Sequence, residues 1–164
     1  MTPTPRRETI DDAALARFIE AARSYCAFIE GDNDVALDKR AVTARLRLAE
    51  VYAAQLRLPS ISGLRADVQE RPVGAPVDWK GFGASELYYE IHDPFKNEGT
   101  VGALLSEDLL DIYVSLKSGV IYWDTGRTEE ALWEWTFEFN AHWGDHLVDA
   151  LRALHRMSEE IAIR

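Results

Sequence analysis

The stretch that most constrains the fold runs from Thr128 to about Glu159. Apolar residues return there every three or four positions with no proline to interrupt them, the period of one face of an α-helix. At about 100° per residue, Leu132, Trp135, Phe139, Trp143, Leu147, Ala150 and Leu154 share one sector. Trp133, Phe137, Val148 and Leu151 widen it on one side. An apolar arc covering more than half the circumference requires neighbours on at least two sides. Glu134, Asp145, Arg152 and Arg156 fall opposite, toward water, and Glu138 and Asp149 lie nearer the flank. Three of the five tryptophans sit on this helix, so it belongs at the centre of the core.

The upstream chain reads as further helices. Thr9 caps a first helix that carries Leu15, Ile19, Ala22, Cys26 and Ile29 inward to about Glu30. After the turn Gly31–Asp34, a second helix spans about Val35 to Leu58, with Leu37, Ala41, Ala44, Leu48 and Tyr52 inward. Its Lys39, Arg40, Arg45, Arg47 and Arg57 read as a solvated face that pairs with acidic neighbours. Residues 59–84 are rich in proline and glycine; Trp79 and Phe82 indicate that part of the segment packs, as a mobile surface loop or a lid. Ser85 starts a short helix over Glu86–Ile91, which Asp93-Pro94 breaks. Ser106 caps the next helix, to about Trp123, and Thr128 caps the last. No segment shows convincing strand alternation. The expectation is an all-α fold: a single-domain helical bundle of four main helices, a short helix and a long 59–84 loop. Residues 1–8 are expected to form a disordered lead and 9–164 the domain.

The net charge of −10 sets the chain against phosphate backbones and anionic membranes, so neither nucleic acid nor a membrane is an expected partner. No run approaches the roughly 18–20 apolar residues of a membrane span. The single cysteine, Cys26, cannot form an internal disulfide and reads as a small core residue. These features fit a cytoplasmic protein.

Polar residues on apolar faces are the candidates for function. His142 and His146 stand four apart, one above the other on a helix. His146 falls inside the apolar arc with Asn140; His142 sits at one edge and His155 near the other. The preceding helix is antiparallel to the last through a short connection, which brings Asp108 and Asp111 level with the two histidines. Glu86, Glu90, His92 and Asp93 form a third polar group.

Three readings follow. One is a divalent metal site for zinc, iron or manganese, using His142 and His146 with Asp108, Asp111 or Glu138, joined by Glu86 or Glu90. The Glu-x-x-His and His-Glu-x-x-His signatures are absent. The second is an acid–base pair of His146 oriented by Asp108. The third, the simplest, is a structural network in which Asp108, Asn140, His146 and His155 keep the helices in register. No phosphate-binding glycine loop or nucleophile elbow is present.

Taken together, Tyr88 through His92-Asp-Pro-Phe95, Ser106 through Tyr113 with Leu116-Lys117, and Ala131-Leu-Trp-Glu-Trp135 through His142-Trp-Gly-x-His146 to His155 resemble an uncharacterised bacterial family, a domain of unknown function of the DUF5063 kind, over residues 85–157. The resemblance implies a bacterial, cytosolic, all-helical domain and no particular reaction. The leading expectation is a non-enzymatic binding or protein-interaction module with an acidic surface, needing no cofactor. The alternative is a metal-binding protein or metal-dependent enzyme centred on His142 and His146.

Overall fold

A computed structural model describes residues 11–31, 34–59, 71–91 and 93–163, apart from the side chains of Ser85 and of 158–163. Five helices make up most of it: α1 (Asp12–Glu30), α2 (Leu37–Gln55), α3 (Leu105–Asp124), α4 (Thr128–Glu138) and α5 (Gly144–Ile163). Between α2 and α3 stand two short antiparallel strands, β1 (Leu87–Glu90) and β2 (Val101–Leu104). The fold is therefore mostly helical but not purely all-α. The expected helix over Glu86–Ile91 is strand β1, with Leu87 opposite Leu104 and Glu90 opposite Val101. Leu-Tyr-Tyr-Glu does alternate, exposed then half-buried, but four residues are too few for periodicity to separate strand from helix.

Asp11 caps α1, accepting from the Ala13 amide at 3.0 Å. The expected cap, Thr9, lies outside the described residues. Ser106 and Thr128 are not caps either. The residues at those positions are Leu104 and Arg127, whose side chains make no capping bond.

α1 packs on α2 and α3, and α5 packs on the same two helices. The small residues Ala41, Ala44 and Ala54 on the buried side of α2 let neighbouring helices come close. Phe18, Tyr25 and Ile29 are the fully buried large residues of α1, whereas Leu15 and Ile19 are only partly buried. α3 and α4 meet at their closest where Gly119 faces Trp135. A Cβ on Gly119 would lie only 2.0 Å from the Trp135 indole nitrogen.

α4 continues into α5 through a π-helical turn, Phe139–Trp143. The Gly144 amide closes that turn onto the Phe139 carbonyl, and a Cβ on Gly144 would lie 2.4 Å from the same oxygen. Glycine is what permits this wide turn here. Trp135 and Trp143, one on each side of the turn, are both fully buried.

The described part of the long connection, from Arg71 onward, packs against the helices. The Ser118 hydroxyl donates to the Pro72 carbonyl at 2.7 Å. Trp79 sits edge-on to Phe28 and Phe82, and Phe82 is buried. Arg40 donates to the Gly81 carbonyl at 2.5 Å, tying the end of this strap to α2.

The strap overturns one sequence expectation. Glu134 does not face water: it is 1% exposed, with Arg71 Nη2 2.6 Å from its carboxylate and 2.9 Å from Ser115 Oγ. Burial raises the Glu134 carboxyl above its ordinary value, against the opposing pull of Arg71. On the other side of α4, Phe137 is exposed, as is Val148 on α5, although both fell within the expected apolar arc. Cys26 is buried, and its thiol is pushed up to about 12 chiefly by that burial, so it is an inert core residue.

Candidate metal centre

The antiparallel arrangement of α3 against the α4–α5 helix brings the expected carboxylates to the expected histidines. Asp108 lies in the first turn of α3 and is 4% exposed. Its Oδ1 is 2.8 Å from His146 Nδ1, and its Oδ2 accepts from the Tyr88 hydroxyl at 2.5 Å. One carboxylate thus joins β1, α3 and α5.

With Nδ1–H donated to Asp108, the outward nitrogen of a neutral His146 is Nε2, and its lone pair is free. That nitrogen lies 3.9 Å from Asp111 Oδ2, one turn further along α3. His142 stands beside it, the two imidazoles 4.8 Å apart between centroids and inclined at 72°. Asp111, His142 and His146 each offer a ligand atom, and the three atoms lie within 4.8 Å of one another. Asp111 and His142 are exposed and His146 is half-buried, so the cluster opens to solvent on one side.

The electrostatics favour a cation. The hydrogen bond to Asp108 raises the His146 imidazole above its ordinary value, outweighing burial. Asp149 is raised first by burial, then by the nearby negative charges of Glu90, Asp108 and Asp145. Burial and the Asp108 hydrogen bond push the Tyr88 phenol far up, so it stays a proton donor.

The remaining candidates fall elsewhere. Glu138 precedes the π turn and is not in the ligand cluster. Asn140, expected in the core, is exposed and donates to the Thr136 carbonyl of its own helix at 2.9 Å. His155 is exposed on α5, about two and a half turns beyond His146. Glu86 is committed to structure: it accepts from the Phe82 and Gly83 amides at 2.8 and 2.9 Å and from the Ser106 hydroxyl. His92 lies outside the described residues. Tyr88 was missed because its segment read as a helix, whereas strand alternation is what turns it toward Asp108.

The chain is thus a mostly helical protein with a short hairpin, and the hairpin closes one side of an imidazole–carboxylate cluster. Residues 80–159 match the model of a family described as a domain of unknown function, DUF5063. Tyr88, Asp108, Asp111, His142 and His146 all lie within that span. No curated protein matches the chain. Among solved structures, the crystal structure of protein BF1032 from Bacteroides fragilis, a structural-genomics target, is similar with a TM-score of 0.71 and 22% identity. The match covers 89% of this chain and 92% of that one. At that identity the likeness concerns the fold alone.

Proposed function

We propose that this protein binds a divalent transition metal through His142, His146 and Asp111, on helices arranged as a bundle. The observation that carries the reading is the orientation of His146. A buried carboxylate holds its Nδ1, and its Nε2 faces a second imidazole and a carboxylate. Metal-ligating histidines are typically held in this way, with the carboxylate fixing the tautomer and strengthening the ligand. Donors about 2.0–2.2 Å from one ion lie roughly 3–3.5 Å apart. The 3.9 Å between His146 Nε2 and Asp111 Oδ2 closes to that range by a small rotation of the exposed Asp111 side chain.

Two imidazoles and one carboxylate suit zinc, manganese or non-haem iron, and three protein donors leave positions for water or a small ligand. The surrounding carboxylates Glu90, Asp145 and Asp149 add long-range attraction for the cation.

Elemental analysis of protein purified without added metal, with calorimetric titration of zinc and manganese into chelator-treated protein, tests the proposal. The wild type should carry and rebind close to one equivalent, and His142→Ala/His146→Ala should carry none. Asp108→Asn, which keeps the shape but loses the charge, should weaken binding by about 10- to 100-fold. Equal metal content in the wild type and the double variant overturns the reading.

A further inference from the structure

The outer face of α2 carries a pattern that the fold does not use. Val42, Leu46, Ala49, Ala53 and Leu56 follow one another at steps of four, three, four and three, which places them in one stripe. The stripe points away from the buried side of α2, and Val42, Leu46 and Leu56 are 50, 53 and 62% exposed. Isolated exposed apolar residues are ordinary on protein surfaces. Five in seam register over four turns, about 21 Å of helix, are the spacing by which one helix receives another.

The charges beside the stripe run against the charge of the whole molecule. Elsewhere the cations of this −10 chain are largely spoken for: Arg23 by Asp124, Arg71 by Glu134, Lys80 by Asp34, Lys117 by Glu30 and Arg127 by Glu130. Lys39, Arg45 and Arg57 on α2 and Arg17 on α1 form no ion pair among the described residues. Among the described residues, Arg17 and Arg57 donate only to carbonyls of their own helices, Ala13 and Ala53. Four cations without an ion pair among the described residues thus stand beside two carboxylates without one, Asp38 and Glu20. Alongside the stripe runs a groove of about 430 Å³ between α1 and α2, floored by Ala21, Ser24 and Ala54 and edged by Arg17, Arg47 and Arg57. Glu50 also lines it, already paired with Arg47 at 2.8 Å.

We propose that this face docks an amphipathic helix of a partner protein, with apolar residues on its seam and acidic residues along its flanks. The seam would lie on Val42, Leu46 and Leu56, and the acids would reach Arg17, Arg45 and Arg57. Small side chains on the groove floor allow close approach, and complementary charge sets the choice of partner. The inference does not depend on the metal centre.

The test is fluorescence anisotropy of two labelled helical peptides, each about 21 residues with leucine at the seam positions. One carries glutamate at the flanks and the other lysine. The full-length protein should bind the glutamate peptide at least about tenfold more tightly, and added salt should weaken it. Arg17→Glu/Arg57→Glu should lower that affinity about tenfold or more, and Leu46→Glu/Leu56→Glu should abolish binding with an unchanged melting temperature. Equal binding of both peptides, or none of the glutamate peptide, overturns the proposal. So does a lowered melting temperature of Leu46→Glu/Leu56→Glu, which would mean that the chain covers the face itself. A dimer in sedimentation that the same variant dissociates assigns the face to a second copy instead. Binding to phosphatidylserine vesicles lost in Arg17→Glu/Arg57→Glu assigns it to a membrane.

Discussion

Replacing Arg71 by methionine keeps most of the side-chain volume and removes its charge. The Glu134 side chain is 1% exposed and that of Arg71 32%, with 2.6 Å between their charged atoms. Removing one member of a buried pair costs about 3–5 kcal/mol, because the other charge is left without compensation. The part-exposed guanidinium side admits water to the gap, so about 2–3 kcal/mol is expected at pH 7. For a chain of this length each kcal/mol lowers Tm by about 2–4 °C, giving a drop of roughly 5–10 °C. Burial already raises the Glu134 carboxyl, and loss of Arg71 raises it further. A carboxyl raised in the folded state destabilises the fold as pH climbs from its unfolded value, near 4.3, through its folded one. The deficit should therefore be small near pH 4.5 and full at pH 7. Adding Glu134→Gln to Arg71→Met should recover most of it by removing the orphaned charge. Urea melts of the three proteins at both pH values measure this. A deficit below about 0.5 kcal/mol at pH 7, or one that does not change with pH, refutes the account of Glu134 as a buried charge held by Arg71.

Two further outcomes are expected. Gly119→Ala gains about 1 kcal/mol of helix propensity but must displace the fully buried Trp135 ring, at a cost of about 1–3 kcal/mol or more. Chemical denaturation should show a net loss, and an equal or more stable variant would mean that the ring shifts freely. In metal-free protein, the Asp108 bond raises the His146 imidazole, so its stabilisation is full below about pH 6.5 and fades as pH rises through the raised value. The stability gap between wild type and His146→Gln, measured in chelator from about pH 6 to about pH 8.5, should narrow; a constant gap contradicts the pairing.

How far the sequence could be read depends on the range of the interactions involved. The helices of Phe18, Leu48, Ile112 and Leu147 announce themselves because each buried stripe is written within its own segment. The meeting of Asp108 with His146 was also legible, since two periodic helices joined by a short turn can be aligned by counting. Glu134 was not legible: its partner stands 63 positions away, in a segment with no periodicity. Between two tryptophans it reads as the wet side of a helix until the strap is laid over it. Tyr88 failed for the opposite reason, since a four-residue strand is too short to outvote its neighbours. A step of 100° per residue through Phe139–Trp143 puts Asn140 inward, but the helix does not advance by that angle there.

The wide turn at Phe139–Trp143 has a consequence for how this chain tolerates length changes. It holds one more residue per turn than the helix on either side, so it acts as a phase adjuster between two otherwise regular halves. Upstream the halves are indexed to Trp135 in its Gly119 seat, and downstream to His146 on Asp108. Removing a single residue there lets an ordinary helical turn form, in which four residues cover nearly the rotation that five cover in the wide turn, so α5 keeps its phase against α4. A deletion in the regular helix on either side would instead turn α5 by about 100° and swing the imidazole away from its carboxylate. The wide turn is thus the place between Trp135 and His146 where the chain can lose one residue and still keep both anchors in register.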